Sequence, residues 1–279
     1  MNSSEIITGE KLQELSNIYL GTEDDFNYNP CILVQRDKHI NINNIVSLFP
    51  NPRIVFFYSH QINKLANIIQ FFMNPVILIS HNSDENIVES GESLKILETP
   101  NVIKWYSQNI CFYHPKLLLA PIGLANSMWA HGNLSIFDNS LFINTLHQKT
   151  NRISFNFNLH TNPYNREKCY NILIKYLPFL PNIDPTENLK RLSTYEFCIS
   201  PEGNGVDCHR IWEALYLKVV PIVLQSPFIE ILLRNNIPLV VLNSWEELER
   251  IEPTLNYKSY DLSVIDREFT MSKMINKIG

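Results

Sequence analysis

Short apolar runs alternate with apolar residues at helical spacing along most of the chain. Residues 53–58 (Arg-Ile-Val-Phe-Phe-Tyr) form a run of strand length and predict a buried strand. From Gln61 to Met73, Leu65, Ile68, Ile69 and Phe72 recur at helical intervals and predict a helix. Residues 75–80 predict the next strand, which opens into the polar cluster His81-Asn-Ser-Asp-Glu85. Residues 102–106 and 116–120 predict two more strands, the second running out into Pro121-Ile-Gly-Leu-Ala-Asn126.

The second half repeats the theme. Residues 152–158 alternate apolar and polar side chains, as a half-buried strand does. A turn at 161–167 leads to a helix over about 167–176, and Pro178 and Pro181 interrupt the chain. A short helix over 186–194 and a strand over 195–200 follow. Beyond them the pattern predicts a helix from near Asp207, strands at 219–224 and 238–242, helices at 227–235 and 245–252, and a last helix over about 260–277.

Alternation of this kind predicts an α/β protein built on parallel sheets. Two halves are expected, residues 1–148 and 149–279, with the last helix able to pack back on the first half. Parallel sheets bind ligands beyond the carboxyl ends of their strands. Polar clusters at 80–85, 122–126, 161–166 and 200–210 all follow predicted strands, so they are expected to line one central cleft between two domains.

Composition narrows the classes. The net charge of −5 gives no basic field to attract nucleic acid. The five cysteines, Cys31, Cys111, Cys169, Cys198 and Cys208, are widely spaced with no CxxC. That excludes a disulfide framework and a structural zinc site, and fits buried thiols in a reducing compartment. Residues 1–20 lack the apolar core of a signal peptide, and no apolar run is long enough to span a bilayer. A soluble, cytoplasmic protein is expected; the sequence carries no sign of its oligomeric state.

The densest chemistry lies in residues 200–223, Ser-Pro-Glu-Gly-Asn-Gly-Val-Asp-Cys-His-Arg-Ile-Trp-Glu-Ala-Leu-Tyr-Leu-Lys-Val-Val-Pro-Ile-Val. Two of the eight glycines, Gly203 and Gly205, fall here, and they permit positive φ and close approach of backbone to a ligand. Asp207 is a good N-cap type for the helix that follows. Unpaired N–H groups at that helix start suit a phosphate. Arg210 and Glu213 are three residues apart and share a helix face, whereas Ile211, Ala214 and Leu215 fall on a face suited to the sheet. An Arg fork suits a diphosphate, a Glu one turn on suits ribose hydroxyls, and His209 stands beside them.

The run from Phe197 to Val223 resembles the donor-binding motif of exostosin-like glycosyltransferases, including the short soluble forms found in bacteria and large DNA viruses. Residues 76–84 and 121–126 resemble the acceptor-side half of such proteins. The resemblance implies GT-B architecture, with two Rossmann-like domains facing a central cleft and a nucleotide-sugar held mostly by the C-terminal one. It assigns the diphosphate to Arg210 and the ribose to Glu213. Pro201, Glu202, Gly203, Asn204, Gly205 and His209 complete the donor site, and Asn162 and Arg166 add phosphate contacts. Asn82, Asn126 and His131 fall on the acceptor side. One departure is Lys218, where the family usually has Gly. The other is the absence of the membrane anchor of the animal enzymes.

An inverting transfer needs a base on the acceptor hydroxyl and a stabilised leaving diphosphate. Asp84, in a polar loop after a buried strand, is the expected base, with His60 the second candidate and His131 a third. Trp105, Tyr106, Trp129 and Tyr58 are possible stacking faces for a glycan. No Asp-x-Asp follows a strand, and Asp24 and Asp25 lie in a polar N-terminal stretch, so metal-independent transfer without a cofactor is expected. The expected partners are a nucleoside-diphosphate sugar, foremost a UDP-sugar, and a glycan acceptor. The alternative is a catalytically silent nucleotide-sugar or glycan binder of the same fold. A nicotinamide oxidoreductase is disfavoured because no GxGxxG follows the first strand. A Cys208–His209 hydrolase is disfavoured because neighbours on a helix do not face each other.

Overall fold

The computed structural model describes residues 1–29, 36–43 and 52–279. Among these residues the chain forms two compact units. The first comprises residues 7–132 with 274–279, and the second residues 133–273 with 1–6. Residues 133–148, which the hydrophobic pattern places with the first half, pack with the second unit. There the backbone N–H of Ser3 donates to Asp138 at 2.9 Å.

The first unit runs α1 (Gly9–Glu14), β1 (Ile18–Gly21), α2 (Glu23–Tyr28), β2 (His39–Asn41), β3 (Ile54–Tyr58), α3 (Ile62–Ile68), β4 (Val76–His81), α4 (Gly91–Glu98), β5 (Val102–Ser107) and β6 (Leu117–Leu119). Its sheet has the order β2-β1-β3-β4-β5-β6, every pair parallel. A parallel sheet covered on both faces reads as continuous apolar sequence, and β4 is buried at every position. Its polar interior is satisfied locally: the Trp105 indole donates to Ser80 Oγ at 2.8 Å, and Ser80 Oγ lies 2.6 Å from Ser107 Oγ. The helix expected over 61–73 is α3 followed by a 3₁₀ turn at Ile69–Phe71. The first two strands and the helices α1, α2 and α4 add to the elements expected from the pattern.

The second unit runs α5 (Ser140–Thr145), β7 (Asn151–Ser154), α6 (Pro163–Leu173), α7 (Pro185–Ser193), β8 (Tyr195–Ile199), α8 (His209–Tyr216), β9 (Val220–Leu224), α9 (Pro227–Arg234), β10 (Val240–Leu242), α10 (Glu247–Ile251) and α11 (Ser263–Glu268); α12 (Met271–Ile278) ends the chain. Its four strands are all parallel, in the order β10-β9-β8-β7. The α6 helix starts four residues before its expected place because Asn162 caps it, accepting from Asn165 N at 3.3 Å, and Pro163 takes the first helical position. The single helix expected over 260–277 is broken between α11 and α12 at Phe269–Thr270, both buried.

Lys218 ends α8 in the left-handed conformation, φ 59°. Its N–H donates to Leu215 O and the next N–H, of Val219, donates to Ala214 O, which is the paired closure of a Schellman turn. Glycine is the usual residue there because a side chain at positive φ costs about 1 kcal/mol. The lysine side chain offsets part of that cost, because its Nζ pairs with Asp266 at 2.6 Å; the backbone carbonyl of residue 218 accepts from Tyr257 OH at 2.6 Å, a bond open to any residue there. Of the cysteines, the buried Cys169, Cys198 and Cys208 and the half-buried Cys111 form no disulfide among the described residues, and Cys31 lies outside them.

Candidate functional site

In the second unit, strand β8 delivers its chain into the loop of residues 200–208, and α8 returns from it. Cys208, in extended conformation, is the N-cap residue and makes no side-chain cap. The N-cap position thus falls one residue after Asp207, the position that the residue type predicts. The buried Asp207 carboxylate accepts from the Trp212 indole N–H at 2.7 Å, because a buried indole donor must find an acceptor. Ile211, Trp212, Ala214 and Leu215 are buried, leaving His209, Arg210 and Glu213 half-buried on the other side.

Arg210 reaches inward from the start of α8. Its Nη1 lies 3.8 Å from Cys198 Sγ, and its Nη2 lies 3.4 Å from Asn156 Oδ1. Both are weak contacts for a cation, and no carboxylate forms a salt bridge with Arg210 among the described residues. Arg166 is close by and buried. Burial pulls its guanidinium below the ordinary value, and the charge of Arg210 pulls the same way. Two cations thus sit under one loop.

Arg166 and Asn162 shape that loop. Arg166 donates from Nε to Glu202 O at 2.9 Å and from Nη1 to Asn158 O at 2.8 Å, with its plane over the Phe157 ring. Asn162 donates to Gly203 O at 2.7 Å. Gly203 does not use the positive φ open to it; among the described residues the left-handed glycine is Gly123, at 63°. A Cβ on Gly203 would meet Cys208 Cβ at 3.4 Å and Arg166 Nη2 at 3.5 Å. Asn204 is exposed, whereas Pro201 and Gly205 are buried. Burial pushes the Glu202 carboxyl up, and its Oε2 accepts from Asn165 at 3.3 Å.

Beside the loop, at the carboxyl ends of β8 and β9, lies a pocket of about 220 Å³. Tyr164, Lys168, Glu202, Val206, Ile229 and Trp245 contribute to its walls. It offers apolar surface with one carboxylate and one ammonium group. Trp245 and Asn156 carried no motif that would have marked them in the sequence.

In the first unit, Asp84 is exposed, and its side chain makes no hydrogen bond or ion pair among the described residues. The loop before it is fixed: Gln108 and Asn109 both donate to Ser83 O. His60 follows β3 and lies with Nε2 2.6 Å from Asp25 Oδ1 and Nδ1 3.3 Å from Ser83 Oγ. Asp25, left aside in the sequence as part of a polar stretch, is buried in α2. Thr22-x-x-Asp25 is a capping box, and this local signal would have placed it.

Asn82 and Asn126 are brought together but used internally. Asn126 Nδ2 donates to Asn82 Oδ1 at 3.2 Å, Asn82 Nδ2 donates to Gln13 Oε1 at 3.2 Å, and Glu10 N donates to Asn126 Oδ1 at 2.9 Å. Their amides tie α1 to the strand ends. His131 is exposed and stacks on Trp129. Of the aromatic residues considered as glycan platforms, Trp105, Tyr106 and Tyr58 are core residues, and Trp129 is 41% exposed.

A scan against protein-family models matches none to this chain, and no curated protein matches it.

Proposed function

We propose that this protein is a glycosyltransferase that moves a sugar from a nucleoside-diphosphate sugar to a hydroxyl of a glycan acceptor. The observation that carries the reading is the half-buried Arg210 guanidinium, with Arg166 beside it, at a helix start and without a carboxylate partner among the described residues. A desolvated cation without a counter-ion is costly unless a ligand supplies one. A diphosphate does so, and the first N–H groups of α8 add to its binding.

In this reading Arg210 meets the diphosphate and Glu213, one turn along the same face, meets the ribose. The pocket at Trp245 and Glu202 takes the base. Arg166 and Asn162 hold the backbone of residues 202–203 from below. The GT-B arrangement, with the donor on the second unit and the acceptor on the first, belongs to the same proposal. As the sugar leaves, charge builds on the diphosphate, and Arg210 with the α8 N-terminus stabilises it.

A thermal-shift and calorimetric screen against UDP, GDP and their sugars tests the reading. One nucleotide family is expected to raise the unfolding temperature and to release nucleotide from its sugar on turnover. Binding of none of them contradicts it. Binding without nucleotide release, with any acceptor glycan, assigns the protein to the silent binders instead.

A further inference from the structure

We propose that His60 is the general base of the first unit and that Asp25 is the residue that positions it; Asp84 is dispensable. This inference rests on the glycosyl-transfer reading for its substrate, a sugar hydroxyl.

Topology picks out the place. In the order β2-β1-β3, the sheet changes winding direction between β1 and β3. Parallel sheets bind ligands in the crevice that opens at such a reversal, outside the carboxyl ends of the two strands. The chain leaving β1 at Gly21 enters α2, which carries Asp25. The chain leaving β3 at Tyr58 carries His60. These two residues meet at the reversal with a 2.6 Å contact. Gly21 makes room for it, since a Cβ there would come within 2.8 Å of Asp25 Oδ2.

Hydrogen bonding fixes which nitrogen is basic. Burial raises the Asp25 carboxyl, but the bonds from His60 and from the Thr22 N–H and hydroxyl outweigh it and leave Asp25 below its ordinary value. An ionised carboxylate only accepts, so Nε2 of His60 carries the hydrogen. In the neutral ring Nδ1 then holds the free electron pair, and it faces the Ser83 hydroxyl at 3.3 Å. Ser83 Oγ accepts from Glu85 N at 3.3 Å, which leaves its own hydrogen for Nδ1. A hydroxyl therefore already occupies the place an acceptor would take.

Exposure separates the roles. The Asp25 side chain is 5% exposed and that of His60 37%, so the carboxylate is dry while the imidazole reaches solvent. One turn along α2, exposed Tyr28 meets Trp129 edge-on with ring centres 6.1 Å apart, and both offer apolar faces to a sugar ring. Asp84, by contrast, is exposed and has no hydrogen-bond partner for its carboxylate among the described residues.

In the step, the acceptor O–H gives its proton to His60 Nδ1 while an oxygen electron pair bonds to the anomeric carbon. The bond from that carbon to the diphosphate oxygen breaks, and its electron pair leaves with the diphosphate. Asp25 stays ionised and pairs with the imidazolium until the proton passes to water.

The test uses the full chain as wild type, His60→Ala, Asp25→Asn and Asp84→Asn, with nucleotide release from the best-bound nucleotide sugar as readout. His60→Ala is expected to lose about 100-fold or more in kcat with donor affinity unchanged, and added imidazole to restore part of it. Asp25→Asn is expected to lower kcat without raising KM, and Asp84→Asn to stay within about 3-fold, well short of losing a general base. Wild-type turnover in His60→Ala, or an Asp84→Asn loss as deep as that expected of His60→Ala, overturns the proposal. If the wild type binds no nucleotide sugar, the glycosyl-transfer reading fails, and nitrogen NMR of the His60 ring decides the pair on its own. A protonated Nε2 and bare Nδ1, lost in Asp25→Ala, supports it. The opposite tautomer, or one indifferent to Asp25, overturns it.

Discussion

The two sheets solve the same problem differently. In the first, the order β2-β1-β3-β4-β5-β6 reverses between β1 and β3, so the fold itself opens a crevice. Two short exits there are enough to bring Asp25 and His60 together. In the second, β10-β9-β8-β7 proceeds in one direction and has no reversal. Its site is built instead by a nine-residue loop (200–208) returning into α8, braced from below by Arg166 and Asn162. The charges differ in the same way. Asp25 is answered within its own unit by His60 and Thr22, whereas Arg210 touches a thiol and an amide oxygen and, among the described residues, feels the Glu213 charge without forming a salt bridge. A satisfied pair suits proton transfer; an unanswered cation suits holding an anion.

The sharpest way to break this contrast is to remove the brace. Arg166→Ala leaves the carbonyls of Glu202 and Asn158 without their donors and opens space against Phe157. Stability is expected to fall by about 3 kcal/mol in denaturant unfolding, and nucleotide binding to be lost with the loop. A variant with full stability would mean that the loop stands without its brace.

Lys218 sharpens the same region with a smaller effect. Lys218→Ala keeps the left-handed strain and loses the pair with Asp266, so it is expected to cost about 1 kcal/mol. Lys218→Gly loses the pair but relieves the strain, and is expected to be within about 0.5 kcal/mol of wild type. Equal losses in the two variants would show that φ at 218 carries no strain.

A pH-dependent effect concerns Lys149, which donates to Ser193 O at 2.7 Å and Leu217 O at 2.9 Å, the ends of α7 and α8. Burial, with the charge of Lys218, lowers it from 10.5 to about 7. Between those values the unfolded chain binds a proton that the folded chain does not, so stability from this group rises with pH over that window. The two carbonyl acceptors favour the charged form and keep the slope shallow. Lys149→Met is expected to flatten it, measured as the wild-type-minus-variant difference in unfolding free energy from pH 7 to pH 10. A difference that falls with pH would reverse the assignment.

Much of the fold was legible because burial on both faces writes strands as unbroken apolar runs. Residues 54–58 and 76–81 are cases of this, and Leu65 to Phe72 shows the helical spacing between them. The first two strands were hidden because Ile18–Gly21 and His39–Asn41 are too short to give a period. The sequence singled out Arg210, Glu213 and His60 as site candidates by their positions after strands. It placed the helix start at Asp207, one residue early, and gave no sign that this carboxylate also accepts from Trp212. Asp25 was passed over as a charge in a polar stretch; only the fold brings β1 beside β3 and so reveals its partner. Asn82 and Asn126 were read as ligand contacts because nothing local shows that each is the other's hydrogen-bond partner.

The account rests most heavily on Arg210 as a cation that waits for a diphosphate. Calorimetric titration of UDP into wild type and Arg210→Met tests it directly, with the thermal unfolding of both ligand-free proteins recorded alongside. Wild type is expected to bind, and the variant to bind about 100-fold more weakly or not at all while melting at the same temperature or higher, since a desolvated charge has been removed. Equal affinity in the two proteins, or a ligand-free variant that melts well below wild type, would contradict it.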